Sequence, residues 1–216
     1  MILDVPTSLG PGRLTVSPAA EPRALVWLGH GAGGGIGAVD LAALAARLPD
    51  VGFTVARYEQ PWRVAGKKVA PRPATLDVAW RETAPAVDEL AAGLPIVVGG
   101  RSAGARVACR TANDLGAAGV VCLAFPLHPP GRPAVTRVEE LLQPAGPVLV
   151  LQGDRDAFGT ASDVAREAGA RRSIRIVPVT GADHGMKVLK SSELTASNVA
   201  ALVSASVADF VDRVVG

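Results

Sequence analysis

The sequence predicts a three-layer α/β architecture: a mostly parallel sheet of about eight strands, helices on both faces and no cap domain. Three observations lead there. Short apolar runs alternate with helix-patterned segments over most of the 216 residues, the order that βαβ crossovers produce. One of those runs, Ala24–Gly29, is apolar throughout, as a strand covered on both faces must be. The pentapeptide Gly100-Arg-Ser-Ala-Gly104 then joins an apolar run, Ile96 to Val98, to a small-residue helical segment, and a tight strand-to-helix turn of that kind belongs in the middle of such a sheet.

Taken in order, Ile2–Val5 and Arg13–Ser17 flank Gly10-Pro-Gly12 and read as a β-hairpin at a sheet edge, where proline is tolerated. After the strand Ala24–Gly29 comes His30-Gly-Ala-Gly-Gly-Gly35, and then Val39, Leu41, Leu44 and Leu48 recur with helical spacing. Phe53–Tyr58 is a strand leading into an irregular stretch, residues 60–73. Thr75 to Ala92 has a helical pattern that Pro85 is expected to kink or divide. The strand with the pentapeptide follows, with a helix to about Asn113. Val120–Phe125, Val148–Gln152 and Ser173–Val179 are the remaining strands, and Ala161 to Ala168 is a short helix. Val199, Leu202, Val203, Phe210 and Val214 line one face of a closing amphipathic helix. No repeat or long linker divides the chain, so residues 1–216 are expected to form one domain.

Composition narrows the function classes. A net charge of +2 with few aromatics gives no footprint for nucleic acid. No apolar run reaches the length of a membrane span, and the first residues lack the basic and apolar regions of a signal peptide. Cys109 and Cys122, the two cysteines, lie in small or apolar segments and read as buried hydrophobes; they suit a reducing, cytoplasmic setting and exclude a zinc cluster.

The chemistry lies in the loops that follow strands. Gly100-Arg-Ser-Ala-Gly104 fits the nucleophile elbow, in which the serine takes strained backbone angles and its neighbours two residues away must be tiny. A serine hydroxyl needs an adjacent base, and the base needs an acceptor that fixes its tautomer. Of three histidines, His184 follows the last strand in a glycine-flanked loop and lies C-terminal to an acid. Ser102, Asp156 and His184 then have the chain order of a nucleophile, an acid and a base on this topology. Asp154, two residues earlier, is the alternative acid; Asp183, beside His184, points away from the ring.

An oxyanion would need backbone donors. Ala103 N–H, at a helix N-terminus, is one, and Ala32 or Gly33 in the glycine loop supplies the second. The rival reading of that loop is a phosphate-binding one, since Gly31, Gly33 and Asp50 loosely mimic a dinucleotide fingerprint, but its spacing requires a third glycine where Ile36 stands, which counts against it. No cofactor or metal is expected.

In combination these motifs resemble the α/β-hydrolase superfamily. More narrowly they are similar to a small uncapped group related to dienelactone hydrolases, which includes the hydrolase-like domain of an NSL chromatin-complex subunit. The shared features are Leu28-Gly-His-Gly-Ala-Gly-Gly-Gly35, Tyr58 with Pro71-Arg-Pro73 and Ala79-Trp-Arg81, Phe125-Pro-Leu-His-Pro-Pro130 and Gln152-Gly-Asp-Arg-Asp156. The resemblance implies the α/β-hydrolase fold and a Ser-His-Asp apparatus. Dienelactone hydrolases proper carry cysteine where this chain has Ser102, and Phe158 follows Ala157 where the narrow group often has proline, a change expected to be neutral.

The expected function is therefore a serine hydrolase cleaving a small carboxylic ester or thioester through an acyl-enzyme. The alternative is an interaction protein that keeps the fold without the chemistry. Around the site, His30 is a candidate substrate contact. His128 contacts substrate or stiffens its loop, and Trp62 walls the acyl pocket or anchors its own loop. Arg101 adds positive field or sits in an ion pair. Residues 60–73 carry Arg63, Lys67, Lys68 and Arg72 without an acid, which would favour an anionic substrate if the loop overhangs Ser102.

Overall fold

A computed structural model describes residues 1–216. Its strands are β1 (Ile2–Val5), β2 (Gly12–Ser17), β3 (Ala24–Gly29), β4 (Phe53–Glu59), β5 (Ile96–Arg101), β6 (Gly119–Leu123), β7 (Val148–Gly153) and β8 (Ile174–Val179). All eight join one sheet in the order β1-β2-β4-β3-β5-β6-β7-β8. β1, β2 and β4 pair antiparallel, and every other neighbour is parallel. The hairpin stands at the edge, as expected. The order reverses direction at β3, which lies between β4 and β5, so a crevice opens there at the carboxyl ends of the strands.

The period of two along each strand divides the core between the faces. In β3, Leu25 and Trp27 face one side while Ala24, Val26 and Leu28 face the other. The first side is covered by α3 (Pro73–Ala91), α4 (Ala103–Thr111) and α6 (Ala161–Ala168), through Trp80, Val107 and Val164; the second by α1 (Val39–Arg47) and α7 (Ala196–Val215), through Leu41, Leu44, Val203 and Phe210. Trp27 and Trp80 stack face to face with centroids 3.8 Å apart, pinning α3 to the central strand. Capping boxes start two helices, Thr160 with Asp163 at α6 and Thr195 with Asn198 at α7. No helix is long and apolar enough to cross a membrane.

Three details depart from expectation. Helix α3 starts at Pro73, where proline's fixed φ suits the first turn, and it continues through Pro85. The missing N–H there orphans only the Arg81 carbonyl, and Arg81 lies on the exposed face where water can serve it. Residues 60–73 are not wholly irregular, since Pro61–Val64 forms a one-turn helix, α2. Val39, the first residue of α1, is 53% exposed despite its helical spacing, because it borders an open cleft. In agreement with an uncapped fold, the connection after β6 adds only a single turn, α5 (Val138–Leu141), and no cap rises over the crevice.

Candidate active site

Ser102 stands between β5 and α4 with φ 52° and ψ −110°, a strained conformation for a residue with a side chain. Close approach of backbones enforces it. A Cβ on Gly100 would lie 2.5 Å from the Gly29 carbonyl oxygen, and one on Gly104 would run into the same atom. Glycine is required at both places because β3 and the start of α4 nearly touch. The turn is tied to the neighbouring strand by Ser102 N–H donating to the Leu123 carbonyl at 2.9 Å.

The loop after β8 brings His184 to this turn. Asp183 Oδ1 accepts from the N–H groups of Gly185 at 2.7 Å and Lys187 at 3.0 Å, so it shapes the loop and does not reach the ring. His184 Nε2 lies 3.0 Å from Ser102 Oγ, and Nδ1 lies 2.8 Å from Asp156 Oδ2. An ionised carboxylate only accepts, so the proton sits on Nδ1 and leaves Nε2 free to accept from the serine hydroxyl. Asp156 is buried; Oδ2 also accepts from Gln152 Nε2 at 3.0 Å, and Oδ1 from Phe158 N–H at 2.8 Å. Asp154 is exposed and accepts from Gly181 N–H at 2.8 Å, holding the β7 and β8 loops together. Geometry therefore puts Asp156, and not Asp154, on the histidine.

Ala32, Gly33 and Ala103 line the same cleft as Ser102, a cavity of about 610 Å³. As the first residue of α4, Ala103 has no intrahelical acceptor for its N–H. The N–H groups of Ala32 and Gly33 make no hydrogen bond within the protein, while Gly34 N–H turns back to the Gly31 carbonyl at 3.4 Å. Gly31 packs closest, its hypothetical Cβ falling 3.4 Å from that of Ser102.

Several candidate contacts are placed elsewhere. His30 is buried, with Nδ1 2.8 Å from the Gly31 carbonyl and Nε2 accepting from Gln60 N–H at 3.2 Å, so both ring nitrogens are committed to loop structure. Burial holds its pKa below the ordinary 6.5, against the opposing pull of the Gly31 hydrogen bond. Trp62 is buried against His30 with centroids 5.6 Å apart; it anchors its loop and, with His30, lines a small pocket that adjoins the Ser102 cleft at Ala32 and Ala103. His128 is held by its own loop, Nδ1 lying 2.9 Å from the Val135 carbonyl, and is also outside the cleft lining. Arg101 borders the cleft but its guanidinium is occupied: Nη1 donates to the buried Asp40 Oδ2 at 2.6 Å, and Nη2 to the His184 carbonyl. None of Arg63, Lys67, Lys68 and Arg72 reaches the cleft, and Lys67 borders a separate groove with Leu9 and Thr75. The loop leaves the sheet one strand too far from Ser102.

Two features escaped the sequence. Phe158 sets its ring edge-on against His184, centroids 4.4 Å apart, and lines the cleft, so the residue expected to be neutral packs on the histidine. The cations that do border the cleft beyond Arg101 are Arg106, Arg137 and Lys187, which come from three different elements. Cys109 and Cys122 are buried away from the cleft with sulfurs 3.4 Å apart, so neither is placed to compete as a nucleophile; the adjacent Cys109 and burial hold the Cys122 thiol well above its ordinary pKa.

A family model described as an alpha/beta hydrolase domain matches residues 22–212. No curated protein sequence matches significantly. Among solved structures, an alpha-beta serine hydrolase homologue from Coxiella burnetii is similar with a TM-score of 0.76 at 16% identity, covering 95% of this chain and 96% of its own. A serine hydrolase without a lid from Xanthomonas campestris has a TM-score of 0.76 at 19% identity, over 97% and 94%. Est1E from Butyrivibrio proteoclasticus, solved with ferulic acid bound, has a TM-score of 0.76 at 13% identity, over 97% and 99%. At these identities the likeness establishes the shared, uncapped fold.

Proposed function

We propose that this chain, which belongs to the alpha/beta hydrolase domain family, is a serine hydrolase that cleaves a small carboxylic ester or thioester through an acyl-enzyme. The observation that carries this reading is the unbroken hydrogen-bonded chain from Asp156 through His184 to Ser102, at 2.8 and 3.0 Å. In the first half-reaction Ser102 Oγ attacks the scissile carbonyl carbon while His184 Nε2 takes the hydroxyl proton, and Asp156 stabilises the imidazolium. The carbonyl oxygen gains negative charge as the tetrahedral intermediate forms. Ala103 N–H, aided by the positive end of α4, and Ala32 or Gly33 N–H receive it. The bond to the leaving oxygen or sulfur then breaks, with the proton on Nε2 passing to the departing group. Water repeats the sequence on the acyl-serine, returning the enzyme and releasing a carboxylic acid.

Phe158 confines the imidazole from its side, and Arg101 holds the loop from behind through the His184 carbonyl. Both act by positioning the base. The reading is tested by incubating the folded protein with a fluorophosphonate probe and sequencing the modified peptide by mass spectrometry. Label on Ser102, lost in His184→Ala, is expected. A folded protein whose Ser102 stays unmodified would support the non-catalytic alternative.

A further inference from the structure

Three arginines and two carboxylates stand together on the α4 and α5 side of the cleft. Arg106 grips Glu140 through its Nε and Nη2 edge at 2.7 and 2.6 Å. Arg110 takes Asp77 through the same edge at 2.8 and 2.6 Å and also reaches Glu140 at 2.7 Å. Burial works against the Glu140 charge, yet Arg106 and Arg110 hold its carboxyl below the ordinary range. Arg137 has no carboxylate within ion-pairing distance. Its Nη1 donates to two backbone carbonyls, Pro126 at 3.1 Å and His128 at 3.3 Å, which clamp the guanidinium in place. Its Nε and Nη2 meet no acceptor in the protein. The edge that Arg106 and Arg110 fill with carboxylates is thus left open on Arg137, in a residue that lines the Ser102 cleft. Burial first, and then repulsion from Arg106, disfavour its charge, as for a cation missing its counter-ion. Lys187, three residues after the histidine, lines the same cleft with its ammonium unpaired.

We propose that Arg137, assisted by Lys187, binds a carboxylate carried by the substrate, so that the preferred substrates are esters or thioesters whose acyl chain bears a free carboxylate. The fork of Nε and Nη2 matches the two coplanar oxygens of a carboxylate. Its clamped position means that little freedom is lost on binding. This inference rests on the hydrolase reading for its chemistry, but the anion site itself stands on charge and geometry alone.

The test has two arms. In the first, kcat/KM is measured for 4-nitrophenyl butyrate and for mono-4-nitrophenyl glutarate in the wild type, Arg137→Gln, Arg137→Lys and Lys187→Met, at low and high salt. The wild type is expected to prefer the glutarate ester. The ratio should fall about tenfold or more in Arg137→Gln, recover in part in Arg137→Lys, and fall less in Lys187→Met, whose exposed side chain poses no risk to folding. High salt should shrink the preference. In the second arm, glutarate and inorganic phosphate are titrated calorimetrically into Ser102→Ala and into Ser102→Ala with Arg137→Gln. Glutarate should bind the first and not the second. An unchanged substrate ratio in all variants together with no glutarate binding would overturn the proposal, even where Ser102 labels normally. Tighter binding of phosphate than of glutarate would overturn the carboxylate assignment. Arginine-dependent glutarate binding in a protein whose Ser102 does not label would sink the hydrolase reading and leave the anion site standing.

Discussion

Asp156 Oδ2 accepts the Nδ1 proton of His184 at 2.8 Å from a carboxylate that is fully buried. The partner therefore fixes the imidazole tautomer and its orientation with no competition from bulk water. Asp156→Asn should lower kcat/KM on a simple ester by about 10²- to 10⁴-fold. Asp154→Asn removes only a loop contact to Gly181 and should cost less than about tenfold. Steady-state kinetics of the two variants decides between them, and a larger loss in Asp154→Asn would reverse the assignment.

The ion pair of Arg101 with Asp40 ties the elbow to α1 and, through the His184 carbonyl, to the histidine loop. Its side chains are 12% and 0% exposed, so removal of one charge strands the other in a poorly solvated place. Asp40→Ala is expected to lose about 3 kcal/mol in urea unfolding. The double variant Asp40→Leu with Arg101→Met should recover part of that stability while activity stays low, because the contact to His184 is gone. Full recovery of activity in the double variant would show that Arg101 does not position the base.

Backbone crowding at the elbow makes a sharp contrast between glycines. Gly104→Ala would drive a methyl into the Gly29 carbonyl, whereas a Cβ on Gly34 meets nothing within 4 Å. Gly104→Ala should be poorly soluble or destabilised by more than about 2 kcal/mol, and Gly34→Ala should unfold within about 0.5 kcal/mol of the wild type. Thermal and urea melts of the two variants measure the difference.

His30 gives stability a pH dependence of defined sign. Its folded pKa is lowered from 6.5, chiefly by burial, so the unfolded chain binds the proton more readily. This contribution is complete above the unfolded value and is lost as pH falls below it toward the folded value. The melting temperature should decline between neutral pH and about pH 5, with a shallower slope in His30→Gln. Identical slopes in the two proteins would show that His30 is not the group responsible.

Nothing covers the cleft, since the connection after β6 contributes only the single turn Val138–Leu141. Soluble esters with short acyl chains should be turned over faster than emulsified long-chain triglyceride. Side-by-side rates on the two substrates test this, and faster lipid turnover would contradict it.

The sequence by itself determined the sheet, its edge hairpin and the site backbone, because each rests on a local rule. Alternating apolar runs specify buried strands, and the glycines around Ser102 are needed wherever a strand turns into a helix under another strand. Chain order also singled out His184, since one histidine alone follows a suitable acid. Tertiary structure decided which long side chains meet. Arg101 sits inside the elbow motif, but its commitment to Asp40, 61 residues away in sequence, depends on how α1 packs against α7 and β4. The basic residues 60–73 were conspicuous in the sequence and lie off the cleft, while Arg106, Arg137 and Lys187 were inconspicuous and line it. A guanidinium or ammonium sits at the end of a long flexible stem, so its partner is fixed by the relative placement of whole elements. No local pattern of residues records that placement.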